Sequence, residues 1–214
     1  MKEISSDHSK FYSRRSIFSW CLFDWANSSY PTVIITFVIP AYFVNAVAAD
    51  ATIATAQWGV MTGFAALIIA FSAPVLGAIV DAGYRRKPWL AIFTVFLVIG
   101  SLLLWFIRPD PEDSELLLWL VGITLVFSEL GFVFYNGMLP TLAPPRYIGR
   151  ISGMAWGLGY FGGLTCLTIV LFWFVQVDIP PFGLDKVDAE HIRISGPFVA
   201  LWLSVFSLPI FIWT

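Results

Sequence analysis

Charged residues are scarce in this chain. Lys, Arg, Asp and Glu make up 12% of its 214 residues, about half of the ~25% that is typical of a soluble domain. Hydrophobic residues account for 58% of the sequence, and the mean hydropathy is +0.81. This composition excludes an ordinary water-soluble domain and predicts a protein whose partner is the lipid bilayer. The net charge of −2 gives no indication of a nucleic-acid partner.

Cysteine and histidine are almost absent. Cys21 and Cys166 both fall in apolar segments, and two isolated cysteines provide neither a disulfide framework nor metal-ligand spacing. The two histidines, His8 and His191, lie outside every apolar run. An intramembrane serine protease needs a histidine beside its serine, and a haem or metal site inside the bundle would lack histidine ligands. We therefore expect no metal, no cofactor and no enzymatic activity.

Long apolar runs, in contrast, are abundant. A helix needs about 20 mostly apolar residues to cross the hydrocarbon core, and none of the runs alternates as barrel strands do. The sequence therefore predicts an all-α membrane protein, with residues 1–16 as a cytoplasmic tail and 17–214 as a six-helix bundle. The predicted spans are about 17–46, 56–80, 88–107, 116–139, 151–177 and 196–214.

Lysine and arginine are distributed unevenly around these spans. The N-terminal tail, the loop after the second span and the loop after the fourth together hold most of the basic residues, whereas most acidic residues fall in the other loops. Cytoplasmic loops carry an excess of Lys and Arg. This asymmetry predicts a cytoplasmic N-terminus.

Two of the spans carry polar residues on one helical stripe. In the first span, Asp24, Asn27, Ser28 and Pro31 occur at positions i, i+3, i+4 and i+7, which share a helix face. Pro31 and Pro40 can each distort that helix locally, because proline lacks a backbone donor. Asp24 has two open interpretations: a pathway residue, or an interfacial acid that caps a helix or pairs with a nearby arginine.

The fourth span carries Glu129 near its middle and Asn136 seven residues later, with Phe132 and Val133 between them on the same stripe. A charged group at mid-bilayer costs about 2.5–3.5 kcal/mol on insertion scales. The stripe must therefore pack against other helices through hydrogen bonds or line a substrate or proton pathway. The sequence leaves both alternatives open.

The fifth span is rich in glycine. Residues 157–162, GLGYFG, match the dinucleotide-binding pattern G-x-G-x-x-G, but that motif requires a preceding strand and an aqueous phosphate site. Inside a membrane span, glycines four apart instead allow close approach of helix backbones. We expect this packing role for Gly153, Gly157, Gly159, Gly162 and Gly163.

Three segments carry a family resemblance. The loop GAIVDAGYRRK at 77–87 is similar to the loop after helix 2 of major facilitator transporters, although Gly83 stands one place earlier than that pattern expects. FDWANSSY near the start and YNGMLPTLAPPRYIGRISGMAWGLGYFGG at 135–163 resemble the autophagy-related vacuolar effluxer-like subfamily. The resemblance implies a half bundle of two inverted three-helix repeats, in which helices 1 and 4 line a cavity and helices 2 and 5 face a second half.

The resemblance also implies roles for individual residues. Two sets follow from it and from the polar stripes, one for a substrate or proton pathway and one for an inner gate. The pathway candidates are Asp24, Asn27, Ser28, Glu129, Tyr135 and Asn136, and the gate candidates are Gly77, Asp81, Arg85 and Arg86.

The implied function is secondary transport of a small solute by alternating access, with Glu129 as the candidate proton carrier. In fungi the family is associated with amino-acid efflux from the vacuole. That substrate does not carry over with the resemblance, so amino acids and other small metabolites both stay open as solutes. A bacterial cytoplasmic membrane is the expected location. The alternative is a non-transporting structural or regulatory protein derived from a transporter half.

Six helices provide half of such a transporter. We expect a second six-helix half to be absent from this chain and to come from the remainder of a longer protein, from a separate chain or from a second copy. Alone, the chain is expected to function poorly and to expose both Glu129 and the glycine face of helix 5.

Overall fold

The computed structural model describes residues 13–82 and 85–214, and within them the chain is helical with no β-strand. Six helices in this part are long and apolar enough to cross a membrane. They are α1 (Arg14–Val47), α2 (Ala51–Asp81), α3 (Arg86–Phe106), α4 (Pro111–Leu142), α5 (Pro145–Val175) and α6 (Glu190–Trp213). The predicted all-α membrane class is confirmed. Most of the predicted tail, and Gly83 of the gate loop, lie outside the described residues.

Several helices begin at residues suited to that position. The carboxylate of Asp50 accepts hydrogen bonds from the backbone N–H groups of Thr52 and Ile53, each at 2.9 Å, and so caps α2. Before α4, Asp110 accepts from the Glu112 N–H at 2.9 Å. Such caps satisfy donors that have no partner within the helix. They explain why α2 and α4 begin a few residues before the predicted apolar spans.

The contacts among the six helices are symmetric. Exchanging α1 with α4, α2 with α5 and α3 with α6 gives the same set of contacts. Helix α1 packs against α5 and α6, α4 packs against α2 and α3, and α3 meets α6. Contacts between α1 and α4 join Trp20 to Tyr135 and Tyr30 to Thr124, so these two helices run antiparallel. The bundle therefore consists of two interlocked, inverted three-helix repeats, as expected.

Helix α1 lies at the centre of the bundle, whereas α2 lies at its edge. Both hydrophobic core clusters include residues of α1. In α2, only Ala54, Ala65 and Val80 are buried. A broad apolar surface of α2 is therefore left exposed.

The course of α1 is interrupted near its prolines. Two stretches, Tyr30–Phe37 and Phe43–Val47, form the wider turns of a π-helix. The hydroxyl of Ser29 donates to the Ala26 carbonyl at 2.8 Å, which partly replaces backbone donors rearranged around Pro31. The predicted local distortion of α1 is present. Helix α2 remains continuous through Pro74.

Candidate substrate cavity

An open cavity of about 290 Å³ lies beside the middle of α1. Its polar wall consists of Asp24, Ser28, Thr32 and Thr36, with Pro31 between them. These four polar residues follow one another at four-residue steps, so that they form a continuous row along α1. The wide turns that follow Ser29 keep the later members of this row on the same face.

Aromatic side chains form the rest of the cavity wall. Phe37 comes from α1, Phe132 from α4, and Trp156 and Tyr160 from α5. The rings of Trp156 and Tyr160 meet edge to face, with their centroids 5.9 Å apart. Three helices thus converge on one cavity, which is lined by one carboxyl group, three aliphatic hydroxyls and four aromatic rings.

Asp24 is buried although it lines this cavity. The residue is only 4% exposed, and among the described residues its Oδ2 atom has no hydrogen-bond partner. Buried polar atoms in native proteins are almost always hydrogen-bonded, and each exception calls for an explanation. In a cavity wall, an unpaired carboxyl oxygen is available to a ligand or to a proton.

The two threonines present acceptors to the cavity. Thr32 Oγ1 donates to the Ser28 carbonyl at 2.7 Å, and Thr36 Oγ1 donates to the Pro31 carbonyl at 2.8 Å. Each hydroxyl has one hydrogen and two lone pairs. Because both hydrogens are directed to the helix backbone, the remaining lone pairs suit a ligand that donates hydrogen bonds.

Three α5 glycines allow α5 to approach this polar row. A Cβ atom at Gly159 would lie 2.7 Å from Ser28 Oγ and 3.0 Å from Asp24 Oδ1. At Gly163 it would lie 2.9 Å from the Ser28 carbonyl oxygen, and at Gly162 it would lie 2.8 Å from the Cα atom of Trp25. The close packing of α5 thus brings Trp156 and Tyr160 to the edge of the cavity.

The other two predicted packing glycines differ. Gly153 and Gly157 are exposed, and nothing lies within 4 Å of a Cβ atom built at either one. The expectation that the whole glycine face of α5 would be exposed is therefore wrong for Gly159, Gly162 and Gly163, which are buried against α1.

Asn27 does not join Asp24 in the open cavity. It lines a second, much smaller space of about 10 Å³ between α1, α3 and α4, together with Thr94 and Ser128. A space of this size is close to the minimum that one water molecule needs. The predicted stripe of α1 is thus divided between two neighbouring cavities.

Tyr135 has a packing position in the structure. Its ring stacks on Trp20 at a centroid distance of 4.4 Å, and its hydroxyl donates to the Trp20 carbonyl at 3.1 Å. Trp20 Nε1 in turn donates to the Tyr135 carbonyl at 3.0 Å. This reciprocal pair joins α1 to α4.

Glu129 and Asn136 lie on the exposed face of α4. They share that face with Phe132, whose ring lines the open cavity. Neither residue itself lines the cavity. Of the predicted pathway residues, Asp24 and Ser28 therefore line the open cavity, whereas Glu129 lies outside it on the exposed face of α4.

The predicted gate residues lie around the connection between α2 and α3. Asp81 and Arg85 are exposed, and Gly77 is half-buried with no atom near a built Cβ. Arg86 donates to the Val80 carbonyl at 3.3 Å and lies beside Gly137 of α4. In this conformation, Arg86 therefore joins the C-terminal ends of α2 and α4.

The sequence interpretation missed five cavity residues: Thr32, Thr36, Phe37, Trp156 and Tyr160. One signal was present, namely the four-residue spacing of hydroxyl residues after Asp24. Trp156 and Tyr160 are also four residues apart, so they share a face of α5. No His, Cys, Asp or Glu grouping suited to a metal ion occurs in the described residues.

Comparison with known proteins shows which family the sequence matches. Residues 54–214 match the family described as vacuole effluxer Atg22 like. The chain is 30% identical over 200 residues to an uncharacterized MFS-type transporter, YxiO, of Bacillus subtilis (strain 168). That alignment covers 89% of this chain and 44% of the relative, so the chain spans less than half of the relative's length.

A shorter similarity involves NAD(P)H-quinone oxidoreductase chain 4 of Parasynechococcus marenigrum (strain WH8102). It is 32% identical over 95 residues, which is 41% of this chain and 17% of that protein. No solved structure matches the chain significantly.

Proposed function

We propose, since the chain belongs to the vacuole effluxer Atg22-like family of transporters, that it moves a small solute across a membrane by alternating access. The proposed solutes are amino acids or other small metabolites. The observation that carries the proposal is the cavity between α1, α4 and α5, in which the buried Asp24 carboxyl has an unpaired oxygen. Placing such a group in a membrane span costs free energy. A role in binding a transported solute or a proton explains why the group is there.

A second six-helix bundle completes the proposed transporter. It is provided by a further part of a longer protein, by a separate chain or by a second copy of this one. Small residues four apart favour close helix approach, and two such pairs are exposed in corresponding helices of the two repeats. They are Gly59 and Gly63 on α2, and Gly153 and Gly157 on α5.

Proton coupling is part of the proposal, and two acids are candidates. Asp24 lies in the cavity wall and is buried, whereas Glu129 lies on the exposed face of α4 near the same cavity. If Asp24 carries the proton, Asp24→Asn abolishes coupling and Glu129→Gln reduces it less. If Glu129 carries the proton, the two variants exchange these effects.

The proposed orientation places the N-terminus in the cytoplasm of a bacterium, with the bundle in the cytoplasmic membrane. It rests on the uneven distribution of Lys and Arg. The loop between α2 and α3, with Asp81 and Arg85, is then an inner gate. Cysteine labelling of Arg85→Cys and Ile179→Cys in intact cells tests this, because only position 179 should react with an impermeant reagent.

Solute exchange in proteoliposomes tests the transport function. The purified chain is reconstituted into liposomes loaded with an unlabelled mixture of the twenty amino acids and small primary amines, and uptake of each labelled solute is followed under a pH gradient. We expect exchange of at least one solute when the chain is dimeric. Gly63→Leu and Gly157→Leu should prevent close approach of a second bundle and reduce exchange, whereas Gly149→Leu serves as a control.

The opposite result favours the alternative function. Absence of exchange for every amino acid and every amine, in liposomes shown by cross-linking to contain paired bundles, would contradict the proposal that this chain transports a small solute. A protein that still folds and pairs under those conditions fits the non-transporting structural or regulatory role.

A further inference from the structure

The open cavity combines three features that bear on the charge of its ligand. Its only ionisable acid is Asp24, and no Lys, Arg or His lines the cavity among the described residues. An unpaired anion in a low-dielectric site is costly. The wall therefore has a carboxyl group to balance a positive charge and no cation to balance a negative one.

The two threonine hydroxyls of the wall also favour a cation. Thr32 and Thr36 have already donated their hydroxyl hydrogens to α1 carbonyls, so they offer lone pairs. Together with the unpaired Asp24 Oδ2, they form a row of acceptors. A primary ammonium group carries three N–H donors and no acceptor, which complements this row.

The aromatic part of the wall also favours a cation. Trp156 and Tyr160 lie at the edge of the cavity, and Phe37 and Phe132 complete the ring-lined surface. Cations are attracted to the faces of aromatic rings, most strongly to Trp, and aromatic cages bind alkylammonium groups in this way. The volume of about 290 Å³ is near the lower end of the ~300–1,000 Å³ range of small-molecule pockets.

From these features we infer that the cavity binds a small amine that carries a primary ammonium group and no carboxylate. The ammonium group binds Asp24 and the acceptor row of Thr32 and Thr36, and the organic part lies against Trp156 and Tyr160. This inference rests on the proposed transport function and narrows its solute class from amino acids and other metabolites to amines. In this inference, the Asp24 carboxylate recognises the positive charge of the solute.

A set of four ligands with the same phenyl ring tests the inference. They are phenethylammonium, uncharged 2-phenylethanol, zwitterionic phenylalanine and anionic 3-phenylpropionate. Binding to the purified full chain in lipid nanodiscs is measured by isothermal titration calorimetry. We expect phenethylammonium to bind at least tenfold more tightly than each of the other three.

Two variants and a matched control locate the site. Asp24→Asn should remove the preference for the ammonium over the alcohol, while Glu115→Gln, which removes an exposed carboxylate outside the cavity, should keep it. Tyr160→Leu changes a residue that is 65% exposed, so folding should be unaffected while ammonium affinity falls severalfold. Circular dichroism melting confirms that each variant is folded.

The outcomes separate this inference from the transport proposal. Equal affinity for phenethylammonium and 2-phenylethanol, equal affinity for phenylalanine, or an unchanged preference in folded Asp24→Asn would overturn the inference. Amino-acid exchange in liposomes without any ammonium preference would leave the transport proposal standing. An Asp24-dependent ammonium preference without exchange of any solute would support the binding site and overturn the transport proposal.

Discussion

Replacing Gly162 by alanine tests how closely α1 and α5 approach. A methyl group at position 162 would lie 2.8 Å from the Cα atom of Trp25 and closer still to the Trp25 carbonyl oxygen. Favourable contacts between carbon atoms occur at about 3.5–4.0 Å. Both contacted atoms belong to the backbone, so neither can rotate away, and the two helices must separate by about 0.7 Å or more.

The expected cost follows from two opposing effects. Overpacking of a close-packed interior costs about 1–3 kcal/mol. Alanine regains up to about 1 kcal/mol, because it has a higher helix propensity than glycine. After the full gain, the net loss of unfolding free energy should be about 0–2 kcal/mol, which corresponds to at most roughly a thirtyfold change in the unfolding equilibrium.

The same substitution at Gly157 provides the control. Gly157 lies on α5 as well, but nothing lies within 4 Å of a Cβ atom built there. Gly157→Ala should leave stability unchanged or raise it by up to about 1 kcal/mol. Unfolding of both variants is followed by titration with sodium dodecyl sulfate in mixed micelles. Equal stability of the Gly162 and Gly157 variants would refute the close helix contact.

Four further substitutions test contacts elsewhere in the bundle. Trp20→Phe and Tyr135→Phe each remove one side-chain-to-backbone hydrogen bond and should each lower the free energy of unfolding by about 0.5–1.5 kcal/mol, measured as a lower detergent unfolding midpoint; an unchanged midpoint in either variant would contradict that hydrogen bond. Asp50→Ala removes the cap of α2 and should lower the stability of the helix by about 1 kcal/mol. Hydrogen exchange in the first turn of α2 should become faster, and unchanged exchange would argue against the cap. Arg193→Met removes the buried guanidinium that donates hydrogen bonds to the carbonyls of Trp105 and Asp188. The free energy of unfolding should fall by about 1.5–3 kcal/mol, and the melting temperature should fall with it. An unchanged melting temperature would contradict a stabilising role for these hydrogen bonds.

The architecture was predictable because the bilayer restricts the alternatives. In hydrocarbon, every backbone polar group needs an internal partner, so long apolar runs must form helices. The length of each run then gives the number of spans. Capping residues such as Asp50 and Asp110 were not used in the prediction, and several helices accordingly start earlier than the apolar runs do.

The division of the α1 stripe was not predictable. Asp24 and Asn27 are three residues apart and share one face by helical periodicity. In the structure, α1 lies among α3, α4, α5 and α6, and a rotation of about 60° between the two side chains places them in different cavities. Sequence periodicity predicts which face of a helix is polar. It does not predict where on that face the contact with one neighbouring helix ends and the contact with the next begins.

The row from Asp24 to Thr36 was missed for a reason of helix geometry. In an α-helix, a four-residue step exceeds one turn by about 40°, so three such steps drift by about 120°. The wider turns of Tyr30–Phe37 reduce that drift and keep Thr32 and Thr36 above Asp24. Pro31 indicated a distortion, but the type of distortion could be seen only in the structure.

The five glycines of α5 illustrate the same limit. Their spacing correctly indicated sites where a backbone can approach closely. It did not distinguish Gly159, Gly162 and Gly163, which meet α1, from Gly153 and Gly157, which remain exposed. Both sets have similar spacing, and only the position of the neighbouring helix separates them.

The interlocked arrangement has a consequence for biosynthesis. The main neighbours of α1 are α5 and α6, which the ribosome makes after the first four helices. When the first three helices leave the translocon, the Asp24 carboxyl still lacks the α5 backbone that will cover it. The first repeat therefore lacks most of the final contacts of α1 until translation delivers α5 and α6.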